Sequence, residues 1–104
     1  MITRIVKLTF KDERSEEFLA FFETIKNQVN DFEGCLGMQL VQVKDSPNTI
    51  FTYSQWKSEI ELNNYRDSST FGKVWPKIKP WFADKPQAWT TEVVFNGFAK
   101  KENK

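Results

Sequence analysis

The order of hydrophobic periodicities predicts an α+β domain with the order β-α-β-β-α-β. Three observations carry this. Four stretches alternate with a period of two, as a half-buried strand does. Two intervening stretches repeat apolar residues at spacings of three and four, as an amphipathic helix does. The chain has 104 residues, enough for one core but not two.

Residues Ile2 to Phe10 form the first strand: Ile2, Val6, Leu8 and Phe10 share one face with Arg4, and Thr3, Ile5, Lys7 and Thr9 share the other. The acidic stretch Asp12 to Glu17 suits a helix N-terminus. Phe18, Phe22, Ile25 and Val29 then make one helical stripe, widened by Phe21. Asp31-Phe32-Glu33-Gly34 ends that helix. Leu36 to Lys44 and Thr49 to Trp56 read as two strands of a hairpin joined by Asp45-Ser46-Pro47-Asn48. Ser58 with Glu61 is a capping-box pattern for a helix over about 59–66. Asp67-Ser68-Ser69 interrupts it, and Ser68 or Ser69 caps a second helical piece carrying Phe71, Val74 and Trp75. Pro76 is expected to kink or restart that piece, and Pro80 to make its end irregular. Gln87 to Phe95 alternates as the fourth strand, with Trp89, Thr91, Val93 and Phe95 on one face. This is the ferredoxin-like arrangement: a four-stranded antiparallel sheet with helices on one face. Residues 1–96 are expected to form the single domain and 97–104 a polar tail, with Lys100, Lys101 and Lys104 solvated. The helix-free face of the sheet carries much apolar surface, which calls for a partner; a two-fold homodimer is the simplest.

Composition excludes several functions. Fifteen basic against fourteen acidic residues leave a net charge of +1, which argues against nucleic acid as a partner. No apolar run reaches membrane-span length, and MITRIVKLTF alternates instead of forming the apolar stretch of a secretion signal, so no membrane partner and a cytoplasmic location are expected. The single cysteine, Cys35, excludes an internal disulfide and a cysteine-only metal site, and reads as a small buried residue. The chain has no histidine. That removes the commonest general base, the commonest neutral metal ligand and the usual haem ligand. Ten Phe and four Trp in a domain this small make a core of few, large pieces, prone to leave pockets or to continue across an interface.

The segment WKSEIELNNYRDSSTFGKVW, from Trp56 to Trp75, concentrates aromatic area on one connection. Trp56 ending the third strand, the Lys57-Ser58 cap, Tyr65 on the helix, then Ser68-Ser69-Thr70-Phe71, together with the Phe32-Glu33-Gly34-Cys35 turn, resembles the antibiotic biosynthesis monooxygenase family. The resemblance runs from Ile2 to about Phe95 and implies a dimeric α+β barrel. It also implies a choice of chemistries, from cofactor-free oxygenation of aromatic polyketides and quinols to haem degradation. The haem-degrading branch uses asparagine, tryptophan and histidine at places that align with Val6, Tyr65 and Trp75; none of the three matches, so haem degradation is not expected. Many other members carry histidine where Tyr65 stands.

The resemblance therefore implies a cofactor-independent monooxygenase acting on a small aromatic, polyketide-like or quinol-type molecule in a pocket between the second helix and the sheet, with no metal, flavin or haem. The alternative is a non-catalytic small-molecule-binding or stress-related homodimer of the same fold; an isomerase or decarboxylase-like enzyme is a third reading. Without histidine the proton acceptor must be Asp, Glu, Lys or Tyr. Tyr65 is the candidate catalytic residue, or else an amphipathic packing residue with its hydroxyl at the rim. The candidate substrate-binding residues are Arg4, Val6, Asn64, Ser69, Phe71 and Trp75, with no metal ligands. Arg4, a charge on an apolar strand face, either meets an anionic or phenolic group or reaches to water. Trp75 walls a planar ligand or packs in the core. Asn64 hydrogen-bonds a ligand or lies on a solvated helix face, and Ser68 and Ser69 are caps first. Trp56 is expected to be structural, Trp81, Phe82 and Trp89 to be core or interface, and Arg66 to point away to the surface.

Overall fold

The computed structural model describes residues 1–98; the tail lysines at 100, 101 and 104 lie outside the described residues. The elements are β1 (Ile2–Thr9), α1 (Arg14–Asn30), β2 (Cys35–Val43), β3 (Ser46–Trp56), α2 (Glu59–Arg66), α3 (Ser69–Ile78) and β4 (Gln87–Glu92), with a 3₁₀ turn at Lys79–Trp81. The strands lie in the order β2-β3-β1-β4, and every neighbouring pair is antiparallel. This is the expected ferredoxin-like α+β architecture, with the second helical region split in two.

Strand register decides which side chains meet the helices. Arg4 lies opposite Ser54 on β3 and Thr90 on β4; Val6 lies opposite Thr52 and Ala88; Leu8 lies opposite Ile50. The even-numbered residues of β1, β3 and β4 therefore share the helix-covered face. On β2 the register slips by one residue between Cys35 and Gly37, a bulge that sets Met38 opposite Ser54 and Leu40 opposite Thr52.

The elements depart from expectation at their ends, each for a local reason. The β2–β3 turn is shorter than the Asp45–Asn48 signal suggests, because Val43 pairs with Ser46 across Lys44-Asp45. Pro47 falls in the register shift between the Ile50 and Ser46 pairings, where its missing N–H interrupts no ladder bond; Gln42 Nε2 donates to its carbonyl at 2.8 Å. The fourth strand stops at Glu92, not Phe95: Glu92 pairs with Ile2, the first residue of β1, and one further bond follows, from the Val93 N–H to the Met1 carbonyl at 3.3 Å. Ser58 caps α2, accepting from the Ile60 N–H at 3.3 Å, while its hydroxyl donates to the Glu61 carboxylate. That hydrogen bond is the leading reason the Glu61 carboxyl is held below its ordinary range. Ser68, not Ser69, caps α3, accepting from the Phe71 N–H at 3.3 Å. Helix α3 runs through Pro76 to Ile78 before tightening into the 3₁₀ turn; the missing N–H of Pro76 forfeits one interior bond.

Gly34 ends the α1–β2 connection with φ +89°, and a Cβ built there would lie 2.3 Å from Glu61 Cγ. Only glycine satisfies both the left-handed backbone and this close approach of α2.

The core lies between the sheet and the helices. Leu8, Phe10, Phe18, Ile50 and Ile78 form its buried centre, with Phe10 stacked on Phe18 at a ring-centroid distance of 4.8 Å. Trp56 and Leu62 are buried at the other end, near the start of α2. The opposite face of the sheet has no helix. Across its middle, Tyr53, Ile5 and Trp89 stand in register, and Val41 neighbours Phe51. Trp89 and Val41 remain 46% and 44% exposed.

Candidate functional site

A cavity of about 370 Å³ lies between the helices and the covered face of the sheet. Its origin is a mismatch of side-chain size. The floor carries small residues, Thr52 and Ser54 on β3 and Ala88 on β4, beside Arg4 and Val6 on β1. The walls are long and apolar: Phe18, Phe22, Ile25 and Val29 on α1, then Tyr65, Phe71, Val74 and Trp75 on α2 and α3. Large rings hold the helices off a floor that is too short to reach them, so close packing fails there.

The aromatic wall is continuous. Tyr65 stacks on Trp56 at 5.1 Å and meets Phe32 and Phe71 edge-on at 5.3 and 5.5 Å. Phe71 and Trp75 lie nearly parallel, 9° apart, with centroids 5.8 Å apart. Trp75 continues to Phe82 at 5.6 Å. The parallel pair offers a flat surface to a planar ligand. Trp56 is anchored from below: it is fully buried, and its Nε1 donates to Ser54 Oγ at 2.9 Å.

The polar groups are few. Arg4 Nη1 donates to Thr90 Oγ1 at 2.7 Å. The Arg4 guanidinium titrates below its ordinary value, first because of burial and second because the positive Arg66 is near; it remains charged at any physiological pH. Burial pushes the Tyr65 hydroxyl up to about 12, with a smaller push from Cys35. Tyr65 is therefore neutral at working pH and is a hydrogen-bond donor there, not a proton acceptor. The Cys35 thiol is also raised, chiefly by burial, which makes it a poor nucleophile. Among the described residues, the cavity lining holds no Asp, Glu or Lys, and the chain has no histidine.

Tyr65 supplies a stability test. Its acid is favoured in the folded state, with a value near 12 against an ordinary 10. Below pH 10 both states keep the proton and nothing changes. As pH rises from 10 toward 12 the unfolded chain ionises first, so stability falls, by about 2–3 kcal/mol in full. Comparing urea unfolding at pH 8.5 and 11.5 in the native chain and in Tyr65→Phe should show a smaller alkaline loss in the variant. Equal losses would contradict a neutral, half-buried Tyr65.

The candidate site residues divide between two places. Arg4, Val6, Tyr65, Phe71 and Trp75 share the cavity. Asn64 does not; it lies in a separate polar depression with Phe32, Glu33, Gly34, Lys57 and Glu61. Ser69 is an exposed residue of the first turn of α3 and outside both linings. Arg66, expected to point away to the surface, is exposed and also borders the cavity. It is the last residue of an eight-residue helix, and from that end its long side chain reaches the cavity beside Tyr65. Thr52, Ser54 and Met38 also line it without having been singled out. The signal for the first two was present: on β3, Ile50 and Trp56 enclose two hydroxyl residues on the same face, a polar break in a buried run. Met38 shares the apolar alternation of β2 with Leu40, and the bulge sets it opposite Ser54.

Comparison with known proteins agrees with this architecture. No curated protein matches the sequence. Among solved structures, a Nitrosomonas europaea protein bearing the antibiotic biosynthesis monooxygenase name superposes with a TM-score of 0.85 at 16% identity, covering 91% of this chain and 100% of that one. A conserved protein from Methanosarcina mazei Go1 gives 0.81 at 20% identity, covering 88% and 92% of the two chains. A Mycobacterium tuberculosis protein gives 0.84 at 11% identity, covering 92% and 97%. At these identities the likeness speaks for the fold. The family itself is settled by sequence: the antibiotic biosynthesis monooxygenase profile matches residues 1–75, nearly three quarters of the chain, from β1 through Trp75, and the chain belongs to that family.

Proposed function

We propose that this protein is a cofactor-independent monooxygenase for a small, planar, electron-rich aromatic molecule of polyketide or quinol type, working as a homodimer. The observation that carries the reading is the cavity: an aromatic slot floored by short side chains, with a half-buried neutral phenol and the Arg4 guanidinium among its polar groups. Such a molecule, once ionised, gives its electrons to oxygen directly. For an activated methylene the balance is R₂CH₂ + O₂ → R₂CO + H₂O: one oxygen atom enters the product and the other leaves as water. The protein's part is to hold the ring against Phe71 and Trp75, exclude water, and hydrogen-bond the developing oxyanion through Tyr65. The homodimer is supported by the apolar, helix-free face around Ile5, Tyr53 and Trp89.

The second reading, a binding protein without turnover, is favoured by one specific feature: among the described residues no carboxylate, lysine or imidazole lines the cavity to take a proton. Oxygen uptake separates the two. With an anthrone or 1,4-dihydroxynaphthalene as probe, the native protein should raise uptake at least about tenfold over the uncatalysed rate. Trp75→Ala and Tyr65→Phe should each remove most of that increase, a loss on the order of tenfold or more. Saturable quenching of tryptophan fluorescence with uptake at the background rate would instead establish the binding protein. Unchanged turnover in both variants would refute this site.

A further inference from the structure

Arg4 and Arg66 face the same largely apolar cavity from opposite sides, one from the floor strand and one from the end of α2. Arg4 is half-buried and Arg66 exposed; two like charges bordering one cavity repel each other, which is unfavourable unless something negative is there. The protein supplies nothing negative: among the described residues the ion pairs are Arg14–Glu17 and Lys26–Glu23, and neither involves these two arginines. The Arg4 fork spends one N–H on Thr90, which fixes its plane and leaves donors for a ligand. The remaining walls offer rings and aliphatic carbons.

We propose that the site selects a planar aromatic monoanion, with its ionised oxygen group on Arg4 and Arg66 and its ring between Trp75 and the short-side-chain floor. Phenolate, enolate and carboxylate share this chemistry. The inference rests on the cavity being the substrate site, and it deepens that reading: it answers how ionisation proceeds in a slot without a base. The substrate enters as its anion, or gives its proton to solvent at the mouth while the guanidinium pair favours the charged form. Tyr65, held neutral, then meets the anion as a donor instead of competing for its proton.

The test is equilibrium binding under nitrogen, so that turnover plays no part. The probes are 2-naphthoate and its neutral isostere 2-naphthamide, followed by tryptophan quenching and calorimetry at pH 7.5. The native protein should bind the anion about tenfold or more tightly than the amide. Arg4→Gln and Arg66→Gln should each weaken the anion about tenfold and leave the amide within twofold. Arg4→Lys should recover part of the loss, less than full because a lysine lacks the fork. The neutral probe and the thermal midpoint report whether each variant is folded. A second pair, 2-naphtholate above its pKa against 2-methoxynaphthalene, distinguishes a phenolate-type group from a carboxylate. Equal affinity for anion and amide in the native protein, no binding of the anion, or anion binding untouched by both glutamine variants would overturn the proposal. Anion selectivity without oxygen uptake from any probe would sustain it while removing the oxygenase reading.

Discussion

Trp56→Ala is expected to unfold most of the molecule or leave it barely stable, with a loss of about 3–5 kcal/mol. A domain of this size has only about 5–15 kcal/mol in total. The magnitude follows from position. Trp56 is fully buried, and on the sheet it pairs with Ile2 on one side and Cys35 on the other. Its ring supports Tyr65 by stacking and Phe32 edge-on, so it joins the end of α1, the end of β3 and α2. Removing it leaves a hole that three elements would have to close together, and Ser54 Oγ loses the indole donor it accepts from. Trp56→Phe should cost less, about 1–3 kcal/mol, by keeping an aromatic plane under Tyr65 while losing that hydrogen bond. Urea denaturation followed by far-ultraviolet circular dichroism reads both. A loss below about 1 kcal/mol for Trp56→Ala would mean that the aromatic wall stands without its base.

Much of this was legible in the residues. Period-two alternation placed every strand, and the Phe18, Phe22, Ile25, Val29 stripe placed α1 on the correct face, because burial of one face is what these patterns record. The aromatic spacing from Trp56 to Trp75 pointed to a lined cavity for the same reason. What the residues did not disclose depended on register, bulges and reach. Met38 faces the cavity through a one-residue slip at Cys35–Gly37. Arg66 is exposed, as its surface reading requires, and also borders the cavity; helical periodicity fixes where a Cβ points but not where a long side chain ends. Asn64 is one position from Tyr65 and thus about 100° around the helix, which carries it into the separate depression beside Glu61. Tyr65 was legible as a pocket residue but not in its proton state. Burial sets that state, and burial of a hydroxyl is a tertiary property.

Ile5→Glu should convert the proposed homodimer to monomer, raising the dissociation constant by about 100-fold or more. Ile5 stands between Tyr53 and Trp89 at the centre of the helix-free face. In a stacked two-fold dimer a carboxylate there would be buried without a cation and would face apolar residues of the second copy, a cost of several kcal/mol, and each hundredfold is about 2.7 kcal/mol. In the monomer the same residue lies on the open side of the sheet, away from the Leu8, Phe10, Phe18, Ile50 and Ile78 core, so the fold should survive. Sedimentation velocity at micromolar concentration checks the assembly, and a dimer unchanged by the substitution would rule out pairing through this face. The variant also separates assembly from chemistry. Every residue assigned to the cavity comes from one chain and lies on the other side of the sheet from Ile5. A folded Ile5→Glu monomer should therefore still bind 2-naphthoate within a fewfold of the native affinity. If binding disappears with the dimer, the second copy shapes the slot through the sheet, and the short side chains at Thr52, Ser54 and Ala88 are its floor only when that sheet is backed by a partner.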